Sequence, residues 1–365
     1  MNTLFCATLA LGLAMAACAA QAAPSDASIR WQDASDLTVE GRGWTDNASF
    51  YNRFPARAKA VVRPELWGLS TNSAGIAIRF VTDAREIHAR WKLINADLSM
   101  NHMAATGVSG LDLYVRLKGK WAWLAVGRPA GQENEATLIS GLPDGKREYA
   151  LYLPLYNGVT SVELGVPDGA VLDTAPPRTR DVKPVVFYGT SITQGGCATR
   201  PGMAYPALIG RALDIPTVNL GFSGNGRGEH EVSDLLAELD PSVYVIDAMP
   251  NMSPETVDER IRYMLKTIHT KHPNTPLIIV EHAIFPSAFN MEKGRAASDA
   301  WNKILAKIYK DNAAEWGGLL HYVKCDKLMG SDGEATVDGV HPTDVGFMRM
   351  AEVLTPAVKK AMGKG

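Results

Sequence analysis

The chain is poor in the residues that hold metals, join thiols or grip polyanions. Four cysteines in 365 residues are too few for a disulfide-stapled scaffold. No HExxH, paired CxxC or EF-hand loop occurs, so no catalytic metal is expected. The glycines of Gly189–Gly196 and Gly221–Gly228 lack the Lys of a P-loop and the GxGxxG spacing after a first strand, and no cofactor is expected from them. Acidic and basic side chains nearly balance, for a formal net charge of −2. That removes the basic surplus by which a nucleic-acid partner usually announces itself. The most apolar stretch lies within residues 1–23 and is short for a membrane span.

Those 23 residues carry no charged side chain and are dominated by Ala and Leu. With Ala20-Gln21-Ala22 offering small residues to signal peptidase, they predict an export signal and a periplasmic or secreted protein. The signal lacks the usual Lys or Arg. Met15-Ala16-Ala17-Cys18 resembles a lipoprotein cleavage box, which makes lipidation at Cys18 the alternative. Cys6 and Cys18 leave with the signal unless Cys18 is lipidated. Cys197 and Cys325 remain, and a disulfide between them or two buried free thiols fit the sequence equally.

A hydrophobic content of 46% over this length is enough for two domains with substantial cores. Up to Val171, short runs alternate with the two-residue period of half-buried strands: Gly75–Val81, Ile87–Trp91, Asp112–Arg116, Lys146–Leu153 and Val162–Val166. No helical pattern interrupts them, so residues 24–175 are read as an all-β sandwich, jelly-roll-like. Paired prolines and charges then mark a linker at 176–184. From 185 to 365, apolar strands (185–189, 216–220, 243–247, 276–281, 319–323) alternate with amphipathic helical segments (204–213, 229–239, 254–269, 293–314, 343–362). That pattern predicts a three-layer, flavodoxin-like α/β domain with parallel strand order 2-1-3-4-5.

Chemistry is expected at the carboxyl edge of that sheet. The first strand, Val185-Val186-Phe187-Tyr188, delivers Gly189-Thr190-Ser191 there. A serine hydroxyl is a weak nucleophile unless an imidazole takes its proton and a carboxylate orients the imidazole. Asp338-Gly339-Val340-His341-Pro342, read as a loop entering the last helix, supplies both groups.

These residues carry a family resemblance. GTSITQGG resembles the nucleophile block of the SGNH, or GDSL-like, hydrolases, and DGVHP resembles their closing Asp-x-x-His block. Between them, Asn219-Leu220-Gly221-Phe222-Ser223-Gly224 and Ile246-Asp247-Ala248-Met249-Pro250-Asn251 resemble the two oxyanion-hole blocks. The resemblance implies a catalytic Ser191, Asp338 and His341, with the Ser191 amide, Gly221 and Asn251 facing the oxyanion. Thr190 stands where the family usually has Asp, and Met249 where it usually has Gly. Gly110-Leu111-Asp112-Leu113-Tyr114 is similar to the GxDLY signature of an N-terminal domain that accompanies some SGNH-type esterases.

The implied activity is metal-independent hydrolysis of small acyl esters, acetyl foremost, on an oligosaccharide or polysaccharide. A lipase or thioesterase with the same triad, or a non-catalytic glycan-binding protein, are the alternatives. Trp44, Tyr51, Trp67, Trp91, Trp121 and Trp123 are read as sandwich core before sugar platform. His102 and Met103 are candidates for a loop that narrows the pocket. Glu281 and His282 are read as a local contact at a strand end, and Arg200 as a solvated loop residue.

Overall fold

The structure, a computed structural model, describes residues 28–178, 182–283 and 292–363. The expected export signal, with Cys6 and Cys18, lies outside the described residues.

Alternation along the N-terminal half resolves into ten strands: β1 Ile29–Asp33, β2 Thr38–Glu40, β3 Ala77–Thr82, β4 Ile87–Leu93, β5 Leu111–Leu117, β6 Lys120–Gly127, β7 Glu133–Ile139, β8 Arg147–Tyr152, β9 Val159–Pro167 and β10 Leu172–Thr174. They pair antiparallel in two sheets, β1-β9-β4-β7 and β10-β3-β8-β5-β6, with β2 on the edge of β3. Period-two burial explains the packing. Ile87, Ala89, Trp91 and Leu93 of β4 point inward to Ile78, Phe80, Leu113 and Leu151 of the facing sheet, each large apolar side chain contributing roughly 1.5–3 kcal/mol. Strand β7 escapes the pattern because its outer face carries Glu133 and Glu135, which pair with Lys92 and Arg90 of β4.

One stretch of this half packs outside the sandwich core. Phe54, Ala58, Val62 and Leu66, spaced by four, join Trp44 in the core of the α/β unit, and Trp67 packs against the same cluster. Leu66, the last of that series, falls within a short helix, α1 Pro64–Ser70, and Val62 just precedes it. The segment shows no strand alternation because its apolar residues form one stripe, and the helical layer of the other unit is the surface that buries it. A second short helix, α2 Ala105–Val108, lies in the β4–β5 connection.

The C-terminal half has five parallel strands, β11 Val185–Gly189, β12 Thr217–Gly221, β13 Val243–Asp247, β14 Leu277–Val280 and β15 Leu320–Val323, in the order β12-β11-β13-β14-β15. This is the 2-1-3-4-5 order expected. Helices α3 Ser191–Gln194, α4 Tyr205–Leu213, α5 His230–Leu236, α6 Pro254–Lys271, α7 Glu292–Asn312 and α8 Asp344–Ala361 accompany them. The continuous apolar run of β11 follows from burial on both faces. Val186 and Tyr188 meet the layer of α5, α6 and α7, while Val185 and Phe187 meet α4 and α8.

Arg53 fastens the N-terminal segment to the carboxyl edge of this sheet. It is 1% exposed and donates to the carbonyls of Leu69 (2.7 Å), Asn72 (3.0 Å), Asn219 (3.2 Å) and Gly221 (2.6 Å). Its guanidinium also lies 4.5 Å from the centre of the Phe222 ring. Burial pushes its pKa down to about 9, so it stays charged at neutral pH. Arg53→Met strips four carbonyls of their donor, and at about 1–3 kcal/mol per buried group left unmatched urea unfolding is expected to register a loss of about 3 kcal/mol or more. Arg53→Lys recovers only part of it, because a point ammonium cannot fork to four acceptors.

Candidate active site

The turn after β11 is set by backbone packed against backbone. A Cβ on Gly189 would sit 2.0 Å from Thr193 Oγ1, and one on Gly226 would sit 1.9 Å from the Gly189 carbonyl oxygen. Only glycine fits these approaches. The chain then enters α3 through Thr190, whose Oγ1 accepts the Ile192 amide at 3.2 Å. That is the N-cap bond a family aspartate would also make, so Thr190 fills the local role. Ser191 opens the helix and is 7% exposed.

The second half of the site is one loop. Val337 N–H donates to the His341 carbonyl and Thr343 N–H to the Ala335 carbonyl, both at 2.8 Å, closing the loop at its base. Gly339 takes φ +89° at its tip, and Thr343 then caps α8. Inside the loop, Asp338 Oδ1 accepts the amides of Val340 (3.0 Å) and His341 (2.8 Å). Its Oδ2 meets His341 Nδ1 at 2.7 Å, and His341 Nε2 meets Ser191 Oγ at 2.9 Å. Partial burial alone would raise the Asp338 carboxyl, but the His341 ring and the two amides outweigh it and hold it at about 2. An ionised Asp338 fixes the proton on Nδ1, which leaves Nε2 as the acceptor facing the serine.

Of the three expected oxyanion donors, the structure leaves two available. The Ser191 amide, at the start of α3, bonds no described residue. Asn251, which ends the short 3₁₀ turn Met249–Asn251, spends one Nδ2 hydrogen on the Phe222 carbonyl at 3.2 Å and keeps the other. Gly221 differs: its N–H donates to Asn219 Oδ1 at 2.9 Å, and a Cβ there would lie 2.0 Å from the Gln194 amide nitrogen. Gly221 is therefore a packing residue with its hydrogen already engaged. Three residues on, Gly224 has φ +66° and open space where a Cβ would be, and its N–H bonds no acceptor among the described residues. It stands in the same sequence block, where only a count of amide partners separates the two glycines.

The N-terminal half also reaches the site. Tyr156 Oη donates to the Ser191 carbonyl at 3.1 Å. The His102 ring meets the His341 ring edge-on, centres 5.5 Å apart. Met103 Sδ accepts the Cys197 amide at 3.4 Å. Cys197 itself holds φ +71°, a left-handed conformation that costs a side-chain-bearing residue about 1–2 kcal/mol. Burial, helped by the Asp338 charge, pushes its thiol up to about 12. The sequence offers Cys197 as a disulfide partner or a buried free thiol but gives no sign that it lies beside His341, and nothing in it marks Tyr156.

The remaining candidates fall into structural roles. Cys197 and Cys325 are both free and buried, so the pairing left open by the sequence is not made. Glu281 accepts the Tyr322 hydroxyl and the Cys325 amide, and His282 stacks on Trp301 at 5.1 Å. Arg200 is no solvated loop residue, because it pairs at 3.0 Å with Asp112, whose side chain is fully buried between the two halves. Trp44, Tyr51 and Trp91 are core, whereas Trp123 is half exposed beneath Arg200.

A serine–imidazole–carboxylate array at the carboxyl edge of a 2-1-3-4-5 sheet belongs with the SGNH-type ester hydrolases. The profile of the GDSL-like Lipase/Acylhydrolase family matches residues 182–359, and that of the GxDLY N-terminus of SGNH-hydrolase-type esterases matches residues 29–172. A putative GDSL-like lipase from Bacteroides ovatus is 34% identical over 92% of this chain and 98% of its own, with a TM-score of 0.87. The chain belongs to the GDSL-like lipase/acylhydrolase family. Two further structures share the fold: a salicylyl-acyltransferase, SsfX3, from a tetracycline biosynthetic pathway (18% identity, 92% of this chain and 98% of that one, TM-score 0.73), and a family two carbohydrate esterase from Clostridium thermocellum in complex with cellohexaose (16%, 80% and 94%, TM-score 0.59). No curated protein matches the chain.

Beneath the site, Asp247 ends β13 in a fully buried position. Burial lifts its carboxyl from 3.8 to about 7, against a partial offset from the Tyr205 hydroxyl, which donates to it at 3.1 Å. A carboxyl with a raised folded-state pKa favours folding below its unfolded value, and that contribution is lost as pH climbs through the folded value. Stability should therefore fall between about pH 4 and pH 7, and Asp247→Asn should flatten that slope in urea midpoints taken across the window. An unaltered slope would show that Asp247 ionises as freely folded as unfolded.

Proposed function

We propose that the protein is an exported serine esterase that removes small acyl groups, acetyl above all, from a carbohydrate. The observation that carries the reading is the unbroken line from Asp338 Oδ2 through His341 to Ser191 Oγ, with spacings of 2.7 and 2.9 Å. His341 Nε2 takes the Ser191 proton as Oγ attacks the ester carbonyl, and Asp338 stabilises the imidazolium. The negative charge on the carbonyl oxygen is met by the Ser191 amide, Asn251 Nδ2 and, in place of Gly221, the Gly224 amide. As the carbonyl carbon–oxygen bond to the sugar breaks, His341 returns its proton to the departing sugar oxygen, which leaves as a hydroxyl, and water activated by the same ring then frees the acid.

Two features favour a short acyl group and a glycan. The nucleophile is almost fully buried, and the Tyr156 hydroxyl and His341 ring close on Gly196 so tightly that a Cβ there would lie 2.8 and 3.0 Å from them. The carbohydrate assignment is drawn from the fold shared with a carbohydrate esterase and from the export signal, and is an analogy at that level.

Incubation with acetylated plant and bacterial glycans should release acetate, and Ser191→Ala should abolish it. Rates that instead rise with acyl length would favour the lipase or thioesterase reading, and tight sugar binding without turnover the glycan-binding one. Asn251→Ala and Asp338→Asn test the machinery separately. The first should lower kcat by about 10²–10³-fold through the lost oxyanion donor, the second by about 10⁴-fold through the wrong imidazole tautomer.

A further inference from the structure

We propose that His102, Cys197 and His341 form a binding site for a thiophilic divalent metal ion of the zinc class, and that filling it switches the hydrolase off. One donor atom from each of the three residues lies within 4.8 Å of the other two. The donors come from three segments held in register. His102 sits in a turn closed by mutual amide–carbonyl bonds between Met100 and Met103, at 3.0 and 3.2 Å. The Met103 sulfur in turn takes the Cys197 amide, so the N-terminal half pins its histidine against the cysteine that follows the nucleophile helix.

Both rings are oriented as metal-binding histidines are. Each has Nδ1 against an oxygen, His341 on Asp338 Oδ2 at 2.7 Å and His102 on Asn101 Oδ1 at 2.8 Å. Such an outer oxygen fixes the tautomer and leaves Nε2 as the donor to a metal. Two imidazoles and a thiolate are a donor set that zinc favours, with a fourth position open to water. Zinc bonds of about 2.0–2.3 Å set tetrahedral ligand atoms about 3.3–3.6 Å apart, so the cluster has to close by roughly 1 Å. The partly exposed His102 ring, hydrogen-bonded among the described residues only to the neighbouring Asn101 side chain, is the member that shifts.

As the metal–sulfur bond forms, the Sγ–H bond breaks and its proton leaves to solvent, with no electron transferred. Nε2 of His341 gives its lone pair to the metal and can no longer accept the Ser191 proton. The metal site stands independently of the proposed substrate, whereas the switching rests on the acid–base role assigned to His341 above.

The test uses the full chain, stripped of metal by a chelator. Added cobalt(II) should produce a cobalt–thiolate charge-transfer absorption that disappears in Cys197→Ala and weakens in His102→Ala. Cys197→Ser replaces the alanine variant if that one does not fold. Zinc in a metal buffer should inhibit hydrolysis of a small acetate ester and EDTA should restore it. Each variant, measured against its own zinc-free rate, should need about 10-fold more zinc or beyond. The proposal is overturned if the absorption is absent, if Cys197→Ala keeps it or His102→Ala leaves it undiminished, or if zinc inhibits all the proteins at one concentration. A chain that shows the cobalt signature but releases no acid from any ester would uphold the metal site and sink the esterase reading instead.

Discussion

The site depends on backbone lying directly on backbone where the first parallel strand gives way to the nucleophile helix. Gly189, Gly221 and Gly226 occupy contacts in which any side chain would meet main-chain or Thr193 atoms at about van der Waals collapse. That density lets α3 pack directly against the carboxyl ends of β11 and β12. Ser191 is thereby set at the sheet edge beside an amide hydrogen left unspent, and Thr190 satisfies the next one. A looser turn would leave the hydroxyl free to move, and orientation is most of what an array of fixed donors contributes.

The N-terminal half is part of this support. Arg53 grips the carbonyls of Asn219 and Gly221 at the base of the loop that follows β12, and Arg63 binds Asn225 and Glu229 just beyond it. Further along the junction, Arg79, Glu40, Arg178, Asp214, Arg116 and Glu148 form a continuous alternation of charge. Buried ion pairs of this kind contribute little net stability, since desolvation offsets attraction. What they do is penalise any displacement that would separate them, which keeps the two halves in one relative position.

How much of this could be read from sequence follows the length scale of each cause. The α/β order was legible because strands buried on both faces are written as unbroken apolar runs, Val185–Tyr188 being the plainest, and because the helices between them carry their own period. Ser191, Asp338 and His341, which the structure brings together, could be singled out because a serine, an imidazole and a carboxylate stand within short motifs that resemble a family's blocks. Strand β7 was not, because charges on an outward face hide an alternation that only β4 reveals. The stripe Phe54, Ala58, Val62 and Leu66 was assigned to the nearer domain because a sequence shows that a face must be buried but not against what. Gly221 and Gly224 were indistinguishable for a different reason: whether an amide is spent depends on Asn219, whose side chain reaches forward to accept the amide two residues on.

Asp338 and His341 share one hairpin-closed loop, and the carboxylate also grips the two successive amides just past the loop's tip. Acid and imidazole are thus a prefabricated cassette whose internal geometry does not depend on the scaffold beneath. Among the described residues, its hydrogen bond to the Ser191 hydroxyl reaches a segment 150 positions earlier. Drift in the sheet during evolution, or breathing of the domain in solution, can therefore misplace the cassette as a whole without ever scrambling it, and regaining function requires correcting one rigid-body offset rather than rebuilding a proton relay.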